Sequence, residues 1–123
     1  MNPLILVVDD HPDNLKLLSR YFHAKGYRVQ SALSTGEADA IIERERPALV
    51  MVDLFMPGED GLSWVSRVRQ AGGDPIHFLA FTAHATSDAV DLAHAAGCEE
   101  LITKPVPLQA LLGIVQSRLG AAP

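Results

Sequence analysis

Short apolar runs alternate along the chain with stretches in which apolar residues recur every three or four positions. The runs have the length of strands and are rich in β-branched or other hydrophobic side chains, the second run less so than the rest. They are Leu4–Val8, Arg28–Ala32, Ala48–Val52, Ile76–Phe81 and Leu101–Thr103. The intervening stretches have the period of amphipathic helices that bury one face. The pattern therefore predicts five successive strand-then-helix units.

Start and stop signals bound each predicted helix. Ser34 and Glu37 have the spacing of a capping box. The predicted helices run from about Pro12 to Lys25, from Ser34 to the residue before Pro47, from Asp60 to Gly72, from Thr86 to Ala96, and from Pro107 to the residue before Gly120. We expect Pro107 in the first turn of the last helix, where a missing backbone N–H costs nothing.

Near-continuous apolar strands alternating with helices predict a parallel sheet covered by helices on both faces. We expect a single doubly wound α/β domain over residues 1–123, with a core of about 3–119 and a frayed end at 121–123. In such sheets, ligands bind at the carboxyl ends of the strands, near the point where the strand order reverses. The residues that follow each apolar run are therefore the candidates for a functional site.

Composition narrows the class of protein. Hydrophobic residues make up 48% and charged residues 20% of the chain, as in an ordinary globular domain. With 10 basic and 15 acidic residues the net charge is −5, which disfavours direct binding of nucleic acid. The apolar run Leu4–Val8 is far shorter than the ~20 residues of a membrane span, so we expect a soluble, cytoplasmic protein. We expect the single cysteine, Cys98, to be a half-buried packing residue.

Polar residues follow four of the predicted strands. Asp9 and Asp10 follow the first strand, Asp53 follows the third, Thr82 the fourth, and Lys104 with Pro105 the fifth. Three carboxylates at one edge of a sheet repel one another unless a cation compensates them. Because the set contains oxygen ligands and neither His nor Cys, we expect Mg²⁺ rather than Zn²⁺.

A magnesium site beside a lysine is suited to phosphoryl oxygens, and a carboxylate facing phosphorus can act as a nucleophile. Asp53 is the expected nucleophile because it stands alone on the central strand, whereas Asp9 and Asp10 are adjacent and suit the metal. Thr82 can donate a hydrogen bond to a phosphoryl oxygen. The five histidines lack metal-site spacing; we expect His11 and His84 at the edge of the pocket and the others on the surface or in helices.

These residues closely resemble the receiver domain of bacterial two-component response regulators, of the chemotaxis type or another stand-alone type. The resemblance covers essentially the whole chain. It rests on Leu4-Ile5-Leu6-Val7-Val8-Asp9-Asp10, on Val50-Met51-Val52-Asp53-Leu54-Phe55-Met56-Pro57-Gly58 with Asp60-Gly61, on Phe81-Thr82-Ala83, and on Thr103-Lys104-Pro105. The four segments occur in the order that the family shows.

The resemblance implies a flavodoxin-like sheet with strand order 2-1-3-4-5. It implies that a histidine kinase or phosphotransfer protein phosphorylates Asp53, and that the domain is a signalling switch which catalyses only its own phosphorylation and slow dephosphorylation. Asp10, Asp53 and the backbone carbonyl of Phe55 would bind Mg²⁺, with Asp9 assisting through water and Lys104 contacting the phosphoryl group. The Lys104–Pro105 bond is expected to be cis.

Three positions depart from the family's pattern. Leu101 stands where an aromatic switch residue is common, and Phe55 and His84 stand where polar side chains often modulate hydrolysis of the acyl phosphate. With Ala83 and Pro105, these are the expected switch or modulating positions. We therefore expect the signal to leave through the fourth helix, and a downstream protein to bind the face made by the fourth helix, the fifth strand and the fifth helix.

Alternatives of other classes fit less well. A flavodoxin needs a Ser/Thr/Gly-rich phosphate loop after the first strand, where this chain has Asp9-Asp10-His11-Pro12-Asp13. An aspartyl phosphatase is expected to carry a second Asp where Phe55 stands, and a degenerate receiver would lack the full acidic set. The chain is either a stand-alone receiver or a receiver module of a hybrid histidine kinase or a larger regulator.

Overall fold

The computed structural model describes residues 3–56 and 58–120. Pro57, in the expected phosphoacceptor segment, and the expected frayed end at 121–123 lie outside the described residues. The elements alternate from strand to helix along the chain. They are β1 (Leu4–Val8), α1 (Pro12–Ala24), β2 (Arg28–Ala32), α2 (Thr35–Arg44), β3 (Leu49–Asp53), α3 (Gly61–Gln70), β4 (His77–Thr82), α4 (Ser87–Ala96), β5 (Cys98–Thr103) and α5 (Leu108–Leu119).

The five strands form one parallel sheet in the order β2-β1-β3-β4-β5. The predicted fold class and strand order are therefore confirmed. The order reverses between β1 and β3, the two strands whose carboxyl ends lead into Asp9 and Asp53. That edge is where a doubly wound sheet binds its ligands.

Alternate side chains of the strands point to opposite faces, so the sheet has two separate cores. On one face, Trp64 and Phe78 pack with apolar residues of α2, α3 and α4. On the other face, Phe22 and Phe81 pack with residues of α1 and α5. Trp64, Phe22 and Phe78 are almost fully buried, so all three are packing residues of these cores.

The helix caps follow the expected chemistry in most places. Ser34 accepts a hydrogen bond from the backbone N–H of Glu37 at 3.1 Å, and the Glu37 carboxylate accepts one from Leu33 N at 3.1 Å. Thr86 is the N-cap of α4 and accepts from Ala89 N. Pro107 is the N-cap of α5 with extended backbone and not part of its first turn, so that prediction is wrong by one position.

The fifth strand begins at Cys98, three residues earlier than predicted. The two glutamates that follow Cys98 hide the strand from a pattern of hydrophobicity, but the ladder to β4 begins at the Phe78–Cys98 pair and includes a register shift after it. Cys98 is consequently buried at 3% exposure and not half-buried as expected. β3 and β4 each end one residue later than predicted, on Asp53 and Thr82.

His77 differs from the expectation of a plain surface or helix residue. It is half-buried at the start of β4, and its Nδ1 lies 2.5 Å from Glu99 Oε2. The other oxygen of Glu99 accepts a hydrogen bond from Arg118 Nε on α5. These contacts join β4 and β5 to α5 at the end of the sheet opposite Asp53.

Candidate functional site

The expected polar residues gather at the carboxyl edge of the sheet because the parallel register aligns the strand ends. Val8 lies beside Val52, so Asp9 and Asp53 leave neighbouring strands at the same level. Asp53 lies beside Phe81, and Thr82 lies beside Thr103, the residue before Lys104. Asp9, Asp53 and Thr82 are buried polar residues with 1 to 2% exposure.

Asp53 is held by two donors. Lys104 Nζ lies 2.6 Å from Asp53 Oδ2, and the backbone N–H of Phe55 donates to Asp53 Oδ1 at 2.9 Å. Lys104 Nζ also lies 3.6 Å from Asp9 Oδ2. Burial lowers the pKa of Lys104, but the hydrogen bond to Asp53 and the charge of Asp9 outweigh it and hold that pKa above its ordinary value. Lys104 is therefore a fixed cation between two carboxylates.

Asp9 is held by residues at the start of α1. Its Oδ1 accepts from the backbone N–H of His11 at 2.9 Å, and its Oδ2 accepts from Asn14 Nδ2 at 3.3 Å. His11 Nδ1 lies 3.1 Å from Asp9 Oδ1 and 3.1 Å from Asp10 Oδ1. The hydrogen bond to Asp9 and the charge of Asp10 raise the pKa of His11.

Two of these contacts go beyond the sequence analysis. His11, expected only at the edge of the pocket, contacts two of the carboxylates. Asn14 was not singled out, although a polar residue five positions after Asp9, in the first turn of a helix that leaves the site, was a signal that could have found it. Both residues orient the Asp9 carboxylate.

One oxygen of Asp10 is buried without a hydrogen-bond partner among the residues that the structure describes. Its Oδ1 is buried and makes no hydrogen bond with the described residues. His11 Nδ1 approaches this oxygen without hydrogen-bond geometry. Ligand atoms of Asp9, Asp10, His11 and Asp53 all lie within 4.8 Å of one another. An unpartnered buried carboxylate oxygen among other carboxylates is the arrangement that a hard divalent cation completes.

The expected switch positions lie on β4 and β5 and in the segments that follow β3, β4 and β5. Thr82 Oγ1 accepts from the backbone N–H of His84 and donates to its carbonyl oxygen, both at 3.3 Å. Ala83 and His84 are exposed, and Leu101 is half-buried against the core that contains Trp64. The side chain of Phe55 is 65% exposed. The Lys104–Pro105 bond is cis, as expected.

A doubly wound sheet with an acidic pocket and a lysine at its carboxyl edge defines a class of α/β signalling domain. Residues 5–116 match the family model of the response regulator receiver domain. The chain belongs to this family, whose members are phosphorylation-dependent switches rather than classical enzymes. Receiver domains interact with histidine kinases or phosphotransfer proteins and with downstream targets, and they bind Mg²⁺ at an acidic pocket. The donor set of this chain fits that ion.

Relatives by sequence include proteins of very different length. A 14.6 kDa protein from the sodA1 3′ region of Leptolyngbya boryana is 37% identical over 120 residues, which cover 97% of this chain and 92% of that protein. The sensor histidine kinase GacS of Pseudomonas protegens is 32% identical over 98% of this chain, but the match spans 14% of that kinase. For the sensor histidine kinase RcsC of Salmonella typhi, 32% identity covers 88% of this chain and 11% of the kinase.

Solved structures agree with the family. The chemotaxis protein CheY4 of Vibrio cholerae has a TM-score of 0.89 and 26% identity, covering 97% of this chain and all of that one. A response regulator from Thermotoga maritima has a TM-score of 0.87 and 27% identity, covering 98% of this chain and 100% of that one. Across residues 3–56 and 58–120, no helix has the length and apolar content that a membrane crossing requires.

Proposed function

We propose that Asp53 accepts a phosphoryl group from a histidine kinase or phosphotransfer protein and that the resulting acyl phosphate switches partner binding. One observation carries the proposal: Asp53 is a buried carboxylate at the end of the central strand, with Lys104 Nζ at 2.6 Å and the acidic pair beside it. In the transfer, a carboxylate oxygen of Asp53 bonds to phosphorus as the bond from phosphorus to the donor nitrogen breaks. The charge of the transferred group is then offset by Lys104.

The proposed metal ligands are Asp10, Asp53 and the backbone carbonyl of Phe55, with Asp9 assisting through water. The unpartnered Oδ1 of Asp10 supports this assignment because a buried carboxylate oxygen otherwise loses its hydration without compensation. Bound Mg²⁺ would supply positive charge at the phosphoryl oxygens. Asn14 and the N–H of His11 keep Asp9 turned towards the cluster.

Phosphodonor access is supported by the surface beside Lys104. A cavity of about 160 Å³ opens there and is lined by apolar side chains, among them Leu17 of α1, Val106 of the segment after β5 and Leu108 at the start of α5. Leu17 is 56% exposed. A donor protein can place an apolar side chain there while its phosphohistidine faces Asp53. We propose that the protein works in the cytoplasm, where ATP-dependent kinases act, and that it neither turns over a separate substrate nor contacts nucleic acid directly.

The test of the acceptor is intact-mass measurement after incubation with acetyl phosphate and Mg²⁺. Wild type is expected to gain one phosphoryl group and Asp53→Asn none. Asp60→Asn is the matched control, because Asp60 is an exposed N-cap of α3; it should be phosphorylated like wild type. Equal incorporation in wild type and Asp53→Asn would refute the assignment.

We also propose that Phe55 prolongs the lifetime of the acyl phosphate. Its side chain has no polar atom with which to orient an attacking water, and its backbone N–H already binds Asp53. Phe55→Asn should therefore dephosphorylate faster than wild type at the same Mg²⁺ concentration. If the two rates are equal, His84 or the geometry of the loop controls hydrolysis and this role of Phe55 is wrong.

The proposed output route runs through Thr82 and α4. When Thr82 turns towards the phosphoryl oxygens, it leaves the backbone of His84, which holds the loop before α4. α4 buries only small side chains, Ala93 and Ala96, so moving it costs little packing energy. Leu101 has no ring with which to report the change. We propose that a partner binds the face formed by α4, β5 and α5. An exposed apolar side chain is available on α4, since Leu92 is 62% exposed.

Amide chemical shifts with and without beryllium fluoride and Mg²⁺ test this route. We expect changes from Ala83 through α4 in addition to those at Asp53 and Lys104. Changes confined to the acidic cluster and Lys104, with α4 silent, would exclude a route through that helix.

A second candidate is a receiver module within a larger sensor kinase or regulator. It is favoured by the matches to GacS and RcsC, in which a segment like this chain makes up 14% and 11% of the protein. The match to the Leptolyngbya boryana protein, 92% of which is covered, favours a stand-alone receiver. An immunoblot of the source cells decides between them, since a band far above 13.3 kDa shows the module and a band near it shows the single domain.

A further inference from the structure

A second cavity lies at the opposite edge of the sheet from Asp53. It has a volume of about 280 Å³ and is formed by the end of α3 and the segments that lead into β3, β4 and β5. Two arginines line it, Arg46 before β3 and Arg69 in the last turn of α3. Nothing in the proposed phosphorylation chemistry uses this cavity.

Arg46 is held in place by backbone. It is half-buried, and its Nε donates to the carbonyl oxygen of Asp74 at 2.7 Å. The guanidinium covers Gly73, whose φ is +106°; a Cβ at that glycine would lie 3.0 to 3.3 Å from guanidinium atoms. The missing side chain therefore makes the room that Arg46 occupies.

Arg69, which also lines the cavity, is held in the same way. Its NH1 donates to the carbonyl oxygen of Ala96 at 3.0 Å, at the end of α4. The side chain lies across Gly97, whose φ is +115°, and any Cβ there would overlap it. Each guanidinium has five N–H donors, so its one hydrogen bond to a backbone carbonyl of the described residues leaves several donors for a ligand.

Neither guanidinium has a carboxylate partner within residues 3–56 and 58–120. The arginines at positions 28, 67 and 118 do form such ion pairs. Two carboxylates belong to the cavity wall. Glu99 forms ion pairs with His77 and Arg118. Asp74 makes no ion pair with the described residues, so its negative charge would repel an anion bound in the cavity.

We propose that this cavity binds a small molecule through a phosphate group, with Arg46 and Arg69 as the anion ligands. Guanidinium groups match phosphate oxygens in geometry and remain charged at any physiological pH. Pro75 and Ile76 form an apolar part of the wall that can contact an organic portion. The volume of about 280 Å³ lies just below the range of about 300–1,000 Å³ that is usual for ligand cavities, which suits a phosphate with only a small organic group.

The test is a titration in EDTA, without Mg²⁺, followed by amide chemical shifts. Inorganic phosphate and glycerol 3-phosphate are the probes, and glycerol is the uncharged control. Saturable shifts are expected at Gly73 and Gly97, with none from glycerol. Tighter binding of the ester assigns the site to phosphate esters, and equal binding assigns it to free phosphate. Shifts only at Asp9 and Lys104, or no saturable shift at either glycine, would overturn the proposal.

Variants separate a built site from general charge attraction. Arg46→Gln and Arg69→Gln should each weaken binding by about tenfold or more, because each removes a charged hydrogen-bond donor. Arg44→Gln is the matched control, because this substitution removes the same charge from an exposed residue that does not line the cavity. It should alter affinity less than twofold.

Asp74→Asn tests the proposal even if the arginine variants do not fold. It removes the opposing carboxylate while leaving the Asp74 carbonyl that holds Arg46, so it should tighten binding. Equal weakening by Arg44→Gln and Arg46→Gln, or no tightening by Asp74→Asn, would contradict the assignment.

Discussion

Replacing Asp10 by Asn should stabilise the fold in the absence of Mg²⁺ while removing its response to the ion. The reason is the buried Oδ1 of Asp10, which makes no hydrogen bond with the described residues and lies among other carboxylates. Asn keeps the shape of the side chain, removes one negative charge and adds N–H donors that can reach neighbouring carboxylates. The variant should therefore lose the charge that binds Mg²⁺ and gain stability of the folded state.

The magnitude follows from the environment of that oxygen. An unsatisfied buried polar atom costs about 1–3 kcal/mol. Because the Asp10 side chain is 27% exposed, we expect the lower part of that range, about 1–2 kcal/mol. For a chain of 123 residues, this corresponds to a rise of the melting temperature of about 4–8 °C.

The assay is thermal unfolding followed by circular dichroism at about pH 8, where free carboxylates are ionised, in EDTA and then in Mg²⁺. Mg²⁺ at roughly 100 times its Kd should stabilise wild type by about 2.7 kcal/mol and the variant by much less. The order of the two melting temperatures should consequently reverse.

Asp13→Asn is the control for a change of charge nearby. Asp13 is exposed in the first turn of α1, so its loss should cost a few tenths of a kcal/mol and leave the Mg²⁺ response intact. If Asp10→Asn is less stable than wild type in EDTA, or gains as much from Mg²⁺, the reasoning about Oδ1 is wrong.

Three further predictions concern the cores. Burial raises the pKa of the Cys98 thiol to about 11, so native protein at about pH 8 should react with a thiol reagent at least about a hundredfold more slowly than unfolded protein. Trp64→Phe should cost about 1–3 kcal/mol in urea unfolding, because Trp64 Nε1 donates to Asp39 at 2.9 Å; no loss would contradict this. Leu101→Ala should cost about 1–3 kcal/mol yet leave the α4 shifts induced by beryllium fluoride; their disappearance would make Leu101 the route.

The sequence by itself determined the order and type of the elements. Buried parallel strands need continuous apolar runs, and helices need a period near 3.6, so both patterns are local and readable. The hydrophobic pattern did not predict the strand at Cys98–Glu100. Charged residues belong to β5 there because their backbone pairs with β4. A ladder between distant segments leaves no local signal when the side chains are polar.

The sequence also determined which residues share the edge of the sheet that carries the acidic cluster. All strands of a parallel sheet point the same way, so the residue after each strand must lie at one edge. That rule alone predicts that Asp9, Asp53 and Lys104 lie close together. It could not show that Lys104 Nζ lies 2.6 Å from Asp53 and 3.6 Å from Asp9, because those distances depend on rotamers set by packing.

Only the tertiary structure decided the contacts between side chains that no strand end aligns. Two examples are the contacts of Glu99 with His77 and Arg118 and the packing of Arg46 and Arg69 over glycines. Each joins segments whose approach depends on helix packing. Residues far apart along the chain carry no mark of such a meeting. Their positions depend on how the helices pack on the two faces of the sheet, and that packing is set by the side chains of the whole domain together.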